Sequence, residues 1–264
     1  MIRRARLAAL TAALAAAAAA WAPLPAEGQE ISNLEAARPI SLEDATPIER
    51  GTWSMSADYA YARRLDRVDY AGPAISLMAG PFSGLEIGAE TRLLTNPRLN
   101  ARRGIGSGDL DFHVLGALAR ESAGGPALAV RGDAFLATGF ASHGTNVSAE
   151  LIATRSFDAF RIHGTAGALY VGSTRPGQRR HQLYAVAGFD ARPFGPWRTD
   201  TLAMADVVVR QSVATGGKVS VGIELGIRHR IGLQTLFYAG MGSEVAGERD
   251  RVQYRGLLGL THTF

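Results

Sequence analysis

The stretch VSVGIELGIRHR (Val219–Arg230) alternates between two chemistries. Val219, Val221, Ile223, Leu225 and Ile227 fall on one side of an extended chain, and Ser220, Gly222, Glu224, Gly226, Arg228 and Arg230 fall on the other. A period of two is that of a β-strand, whose successive side chains point to opposite faces. A strand with one apolar and one charged face lies between two media. Its apolar side meets either a protein core or lipid.

The same parity recurs along the chain. GLEIGAETRL sets Leu85, Ile87, Ala89, Thr91 and Leu93 against Glu86, Gly88, Glu90 and Arg92. GDLDFHVLGAL sets Leu110, Phe112, Val114 and Leu118 against Asp109, Asp111 and His113. FRIHGTAGALY and QLYAVAGFDAR behave alike, with Arg161, His163 and Thr165, then Gln182, Tyr184, Asp190 and Arg192, on their polar faces. TDTLAMADVVVR is the least clear, because Leu202 and Met204 share the face of Asp200, Asp206 and Arg210. The pattern predicts about twelve strands, at 52–63, 70–81, 84–94, 107–120, 126–138, 146–156, 159–171, 181–193, 197–211, 218–231, 233–244 and 251–264. An even number of antiparallel strands suits a closed barrel, which leaves no sheet edge.

Three further features favour lipid outside over a soluble sandwich or lipocalin-like barrel. The chain opens on MIRRAR and the apolar run Leu7–Ala20, with a plausible cleavage site after Ala26, which reads as a secretory signal over 1–26. Alternate connections are short (PFSG, ESAGGP, SFDAF, RPFGPW, RIG) or longer and more polar (TNPRLNARRGIGS, TGFASHGTN, STRPGQRRH). That asymmetry matches periplasmic turns and outer loops. No stretch after residue 26 is apolar for the roughly 18 residues that a membrane helix needs. Residues 27–50, polar and Pro-containing, are expected as a periplasmic lead-in, and 51–264 as the barrel.

Composition removes several function classes. Loss of Arg3, Arg4 and Arg6 with the signal lowers the net charge from +4 to +1, so the basicity does not point to nucleic acid. The chain has no cysteine, hence no disulfide or thiol chemistry. The six histidines form no i, i+2 pair on a strand, and neither a metal site nor a cofactor is expected.

The ending YRGLLGLTHTF places Tyr254, Leu258, Leu260 and Phe264 on one parity. It resembles the C-terminal signature of bacterial outer-membrane barrels, although His262 departs from the usual apolar residue. That resemblance implies a last strand whose Phe264 is the signal read by the barrel-assembly machinery. A narrower resemblance rests on ARPISLEDATPIERGTWSMSADYAY (Ala37–Tyr61), GSGDLDFHVLGAL (Gly106–Leu118) and PALAVRGDAFLATG (Pro126–Gly139). These are similar to transporters named for the meta-pathway of phenol degradation. The resemblance implies outer-membrane passage of small or aromatic compounds and supplies no catalytic residues.

Candidate sites follow from the parity. The lumen is expected to be lined by Asp58, Glu86, Glu90, Arg92, Asp109, Asp111, Arg131, Asp133, Glu150, Arg161, Asp190, Asp206, Arg210, Glu224, Arg228 and Arg255. Such charges either bias which solutes pass or pair across a narrow bore and plug it. Arg98, Arg102, Arg103, Arg175, Arg179 and Arg180 concentrate in outer loops, where guanidinium forks suit lipopolysaccharide phosphates. Trp53, Tyr59, Tyr61, Tyr170, Trp197 and Phe264 are placed as interfacial aromatics. His143-x-Thr145-Asn146 is similar to the His-x-Ser-Asn of outer-membrane lipid hydrolases, but threonine replaces the nucleophile and the segment is Gly-rich, so a loop is the reading adopted. The expectation is a monomeric, non-enzymatic all-β antiparallel transmembrane barrel in the bacterial outer membrane. It would contact membrane lipids and pass small solutes. The alternatives are a plugged structural or interaction barrel and a lipid-modifying enzyme.

Overall fold

The computed structural model describes residues 31, 33–34, 38–64, 68–94, 106–122, 124–139, 144–195, 199–248 and 251–264. The expected signal over 1–26 lies outside the described residues, as do Arg98, Arg102, Arg103, His143 and Trp197.

Twelve strands are present among the described residues: β1 (Trp53–Arg64), β2 (Val68–Phe82), β3 (Leu85–Leu94), β4 (Gly106–Ala119), β5 (Ala127–Leu136), β6 (Asn146–Ser156), β7 (Phe160–Tyr170), β8 (His181–Ala191), β9 (Thr201–Arg210), β10 (Ser220–Arg230), β11 (Thr235–Ala246) and β12 (Val252–Thr263). Each pairs antiparallel with its sequence neighbour, and β1 pairs with β12 from Ser54↔Thr263 to Arg64↔Val252, closing the barrel. Main-chain bonds between Trp53 and Phe264 seal the seam at one end, here called the terminal end. Connections at that end include a tight turn at 83–84, where Gly84 takes φ 79°, and short links at 157–159 and 231–234. Opposite, at the loop end, the links 137–145, 171–180 and 211–219 are longer.

Burial follows the parity. On β10, Ile223 is 46 % exposed and Leu225 55 %, whereas Glu224 is 3 % and Arg228 0 % exposed. Exposed apolar side chains circle the outside, among them Ile75, Leu77, Phe112, Val114, Leu151, Leu183 and Leu258. A continuous apolar exterior with charge turned inward is the arrangement a bilayer imposes. Tyr59, Tyr170 and Phe264 are on the outer face, and Phe264 meets His262 edge to face at 4.7 Å.

Two features differ from the pattern in the sequence. First, β9 begins at Thr201 rather than near 197; its Leu202 and Met204 turn inward with Asp206, on the face the sequence gives them, and are buried with Val208. Second, the described part of 27–50, expected as a periplasmic lead-in, lies inside the bore. Ile31, Leu34, Ile40 and Leu42 cluster there with Val186, Leu202, Met204, Val208 and Leu236. Ala45 packs with Leu115, Ala127, Ala129 and Ile152, and Ile48 packs with Met78. Each large apolar side chain so buried contributes roughly 1.5–3 kcal/mol. The inward apolar residues that blur the alternation of β9 are the seat for this segment.

The lipid-facing assignment predicts that Ile223→Arg costs about 2–4 kcal/mol at mid-bilayer depth. Urea unfolding in lipid vesicles should register that loss, while Ile223→Leu stays near wild type. Equal tolerance of both changes would place Ile223 away from lipid.

Candidate functional site in the barrel lumen

An irregular segment inside a barrel cannot pair its own backbone, so the wall has to supply acceptors. Three inward side chains do so. Ser41 N–H donates to Glu224 Oε2 (2.7 Å), Ala45 N–H to Thr154 Oγ1 (3.0 Å) and Ile48 N–H to Glu86 Oε2 (3.0 Å). In the other direction, Arg228 donates to the Asn33 carbonyl and Arg255 Nη2 to Ser41 Oγ (2.8 Å). Arg255 also pairs with Glu224.

These acceptors are themselves held. The Thr154 hydroxyl, which accepts from Ala45, is also hydrogen-bonded to His163 Nδ1 (3.0 Å), and His163 Nε2 is hydrogen-bonded to Asp190 Oδ2 (2.8 Å). Arg161 joins Asp190 to the segment, reaching Asp190 Oδ2 at 2.5 Å and Asp44 Oδ2 at 2.6 Å. Glu86 Oε1 receives His113 Nε2 at 3.0 Å. Asp133 is shared by Arg131 (2.8 Å) and Ser148 (2.7 Å). Glycine completes the seat where backbone approaches backbone. A Cβ at Gly240 would overlap the Pro39 carbonyl, and one at Gly80 the Glu49 carbonyl.

The described residues between 31 and 50 thus occupy the bore from the terminal end to about its middle. Above them, cavities of about 490, 470, 250 and 200 Å³ share walls along the loop-end half. Arg38 projects from the segment into three of these, and Arg92, Arg131, Arg210 and Arg255 each line two. Here Arg92 lies 3.4 Å from Asp58 and 3.2 Å from Glu90.

The structure divides the residues that the sequence singles out into two groups. Glu86, Arg131, Arg161, Asp190, Glu224, Arg228 and Arg255 hold the segment or its supports, and Asp206 is buried beside Leu42 and Ser41. Asp58, Glu90, Arg92, Asp111, Asp133, Glu150 and Arg210 line the cavities, and Asp109 accepts the Gly139 N–H near the loop end. Parity does not reveal Arg38, Glu43 and Asp44, which the segment itself brings in. Thr154 and Tyr238 are not singled out by the sequence, whereas Tyr184 falls on the polar face that parity assigns it. A signal for a lumenal occupant is present in apolar residues on charged faces: Leu202 and Met204 on β9, Leu115 on β4 and Ile152 on β6. Arg175, Arg179 and Arg180 stand on the 171–180 connection, where the Arg179 N–H donates to Val213 (2.7 Å) and the Val171 N–H to the Arg180 carbonyl (2.8 Å). Asn146 Oδ1 accepts the Gly172 N–H at 3.1 Å, a loop-bracing role.

Neither a family model nor a curated protein sequence matches the chain. Solved structures do, at the level of fold. An outer membrane channel from Pseudomonas putida F1 is similar with a TM-score of 0.63 at 10 % identity, over 85 % of this chain and 100 % of that one. The KdgM porin is similar with a TM-score of 0.56 at 10 % identity, over 79 % and 99 %. The CymD monoaromatic hydrocarbon channel is similar with a TM-score of 0.52 at 11 % identity, over 90 % and 94 %. The fold is therefore one found among bacterial outer-membrane channels.

Because the chain contains no cysteine, a single thiol reports on the segment cleanly. Leu42 is 1 % exposed, and Leu42→Cys should react slowly with a water-soluble thiol reagent in the folded protein. Adding Gly240→Val should displace Pro39 and raise that rate at least tenfold while the barrel stays folded. An unchanged rate would mean that the segment does not rest on Gly240.

Proposed function

We propose that the protein is an outer-membrane channel for small solutes, with residues 31–50 controlling passage. The observation that carries this reading is a polar, cavity-bearing half-lumen that ends on a segment of the same chain rather than on a filled core. A purely structural barrel has no need of open volume lined by arginine and carboxylate side chains. In this reading the terminal end faces the periplasm and the loop end faces outward, where Arg175 and Arg180 are exposed and suited to anionic headgroups.

The chemistry of passage is steric and electrostatic. Mixed charge on the cavity walls favours solutes that exchange hydration for hydrogen bonds, and an apolar patch at Ile40 and Leu257 accommodates a ring or short chain. The resemblance of Ala37–Tyr61 to transporters of the phenol meta-pathway supports small aromatic compounds as the first class to test. The likeness in fold to a monoaromatic hydrocarbon channel supports the same choice. A second reading, a closed barrel acting as a structural or interaction module, is favoured by the depth at which 31–50 is anchored.

Planar-bilayer recording separates the two. The mature protein should give small or rare steps, and a variant lacking 31–47 should give large discrete ones. Gly240→Val is the companion variant if the deletion fails to fold. Silence from well-folded forms of both variants would overturn the channel reading in favour of the closed module.

A further inference from the structure

Charges around the lumenal cavities are mostly matched. Arg38 meets Glu43, Arg92 meets Asp58 and Glu90, Arg131 meets Asp133, and Arg255 meets Glu224. Glu150 accepts the Tyr184 hydroxyl, and Glu244 Oε2 accepts the Val252 N–H at 2.7 Å. One guanidinium stands outside this pairing. Arg210, the last residue of β9, is exposed to the bore, and its side chain has no hydrogen bond or ion pair among the described residues. It lines two cavities, of about 250 and 470 Å³.

What adjoins Arg210 is an aromatic ring. Its cross-strand neighbour on β8 is Tyr184, which is itself paired with Gly167 on β7. A Cβ at position 167 would overlap Tyr184 Cζ, so the ring lies across the glycine, and its hydroxyl reaches on to Glu150 of β6. The ring is therefore laid along the wall instead of standing into the bore. It is half-buried, with one side left to the 470 Å³ cavity, which Leu169 and Val213 also line. An uncommitted guanidinium beside a pinned ring makes a receptor of two parts. The planar fork takes a carboxylate in two parallel hydrogen bonds, and the ring stacks on another ring. The rest of the lumen limits the ligand to one negative charge. Asp111, Asp133 and Glu150 line the cavity beyond Tyr184 and repel a second anionic group. A cation fares no better, because Arg64 and Arg255 share the smaller cavity with Arg210.

We infer that Arg210 and Tyr184 form a binding site for small aromatic monocarboxylates, with the carboxylate on the guanidinium and the ring on Tyr184. A neutral ring forfeits the charge-assisted pair, so the site selects by sign of charge as well as by shape. The inference deepens the channel reading and rests on it for passage. The site itself exists with residues 31–50 seated, so binding is measured without conduction.

Isothermal titration of the full mature protein in detergent micelles, near neutral pH, compares benzoate with its neutral and cationic isosteres, benzamide and benzamidine. Benzoate should bind about tenfold more tightly than benzamide, the worth of one charge-assisted pair, and benzamidine should bind most weakly. Arg210→Gln should bring benzoate down to the benzamide affinity and leave benzamide binding unchanged. Arg210→Lys, which keeps the charge but not the fork, should retain an intermediate preference. The Arg210 side chain supports no other group among the described residues, so both variants should fold as the wild type does. Equal affinity for benzoate and benzamide in the wild-type protein, or no benzoate binding, overturns the site. A benzoate preference that survives Arg210→Gln also overturns it, by assigning the anion to other lumenal arginines. Benzoate binding by a protein whose variants stay silent in planar bilayers would keep the site and remove the channel reading. Conduction without benzoate binding would do the reverse.

Discussion

Every main-chain N–H and C=O within a bilayer has to find its partner inside the protein, and that requirement acts on this molecule twice. Outside, it closes the sheet: β1 joins β12 through a continuous ladder, so no strand presents an unpaired edge to lipid. Inside, it governs the described residues between 31 and 50, which form no strand or helix with which to satisfy themselves. Glu224, Thr154 and Glu86 answer the second demand by accepting N–H groups at Ser41, Ala45 and Ile48. The wall's charges are thus committed first to backbone chemistry and only then to any solute.

That order explains how the lumenal residues are arranged. His163 and His113 face inward and are hydrogen-bonded to side chains that meet the segment. Each fixes the orientation of an acceptor that in turn fixes the segment. Arg161 spans Asp44 and Asp190, so a charge from the segment and one from the wall share a single guanidinium. Removing one member of such a buried group strands the others, which makes the network cooperative rather than a sum of pairs.

The barrel was legible in the sequence because its signal is local. Lipid exposure is decided residue by residue along a strand, and Ile223 beside Glu224 carries the answer in two letters. Most strand limits fall within a residue or two of the alternation, and the inward parity of residues such as Asp111, Arg131 and Asp190 is readable in the same way. The plug was not legible, for a physical reason. Ile31, Leu34, Ile40, Leu42, Ala45 and Ile48 have neither the period of a strand nor that of a helix, and their burial depends on walls contributed by β2, β4, β5, β6, β8, β9 and β11. The partners of the lumenal charges were hidden for the same reason. Parity says which way Glu224 points, but not that Ser41 will be there to meet it. Inward apolar residues on the charged parity, most plainly Leu202 and Met204 of β9 and also Leu115 of β4 and Ile152 of β6, carried a local trace of the occupant.

Gly51, in a left-handed conformation with φ 82°, is the junction between the lumenal segment and β1, and its N–H is bonded to the Gly80 carbonyl at 2.7 Å. The segment is therefore a ligand covalently tied to its own receptor at the rim. For a short flexible tether the local concentration of such a ligand is on the order of millimolar, whatever the abundance of the protein. Dilution cannot wash it out, and a free molecule competing for the same acceptors has to overcome that standing concentration as well as the contacts. Any departure of the segment would leave it attached at Gly51, with return built into the chain.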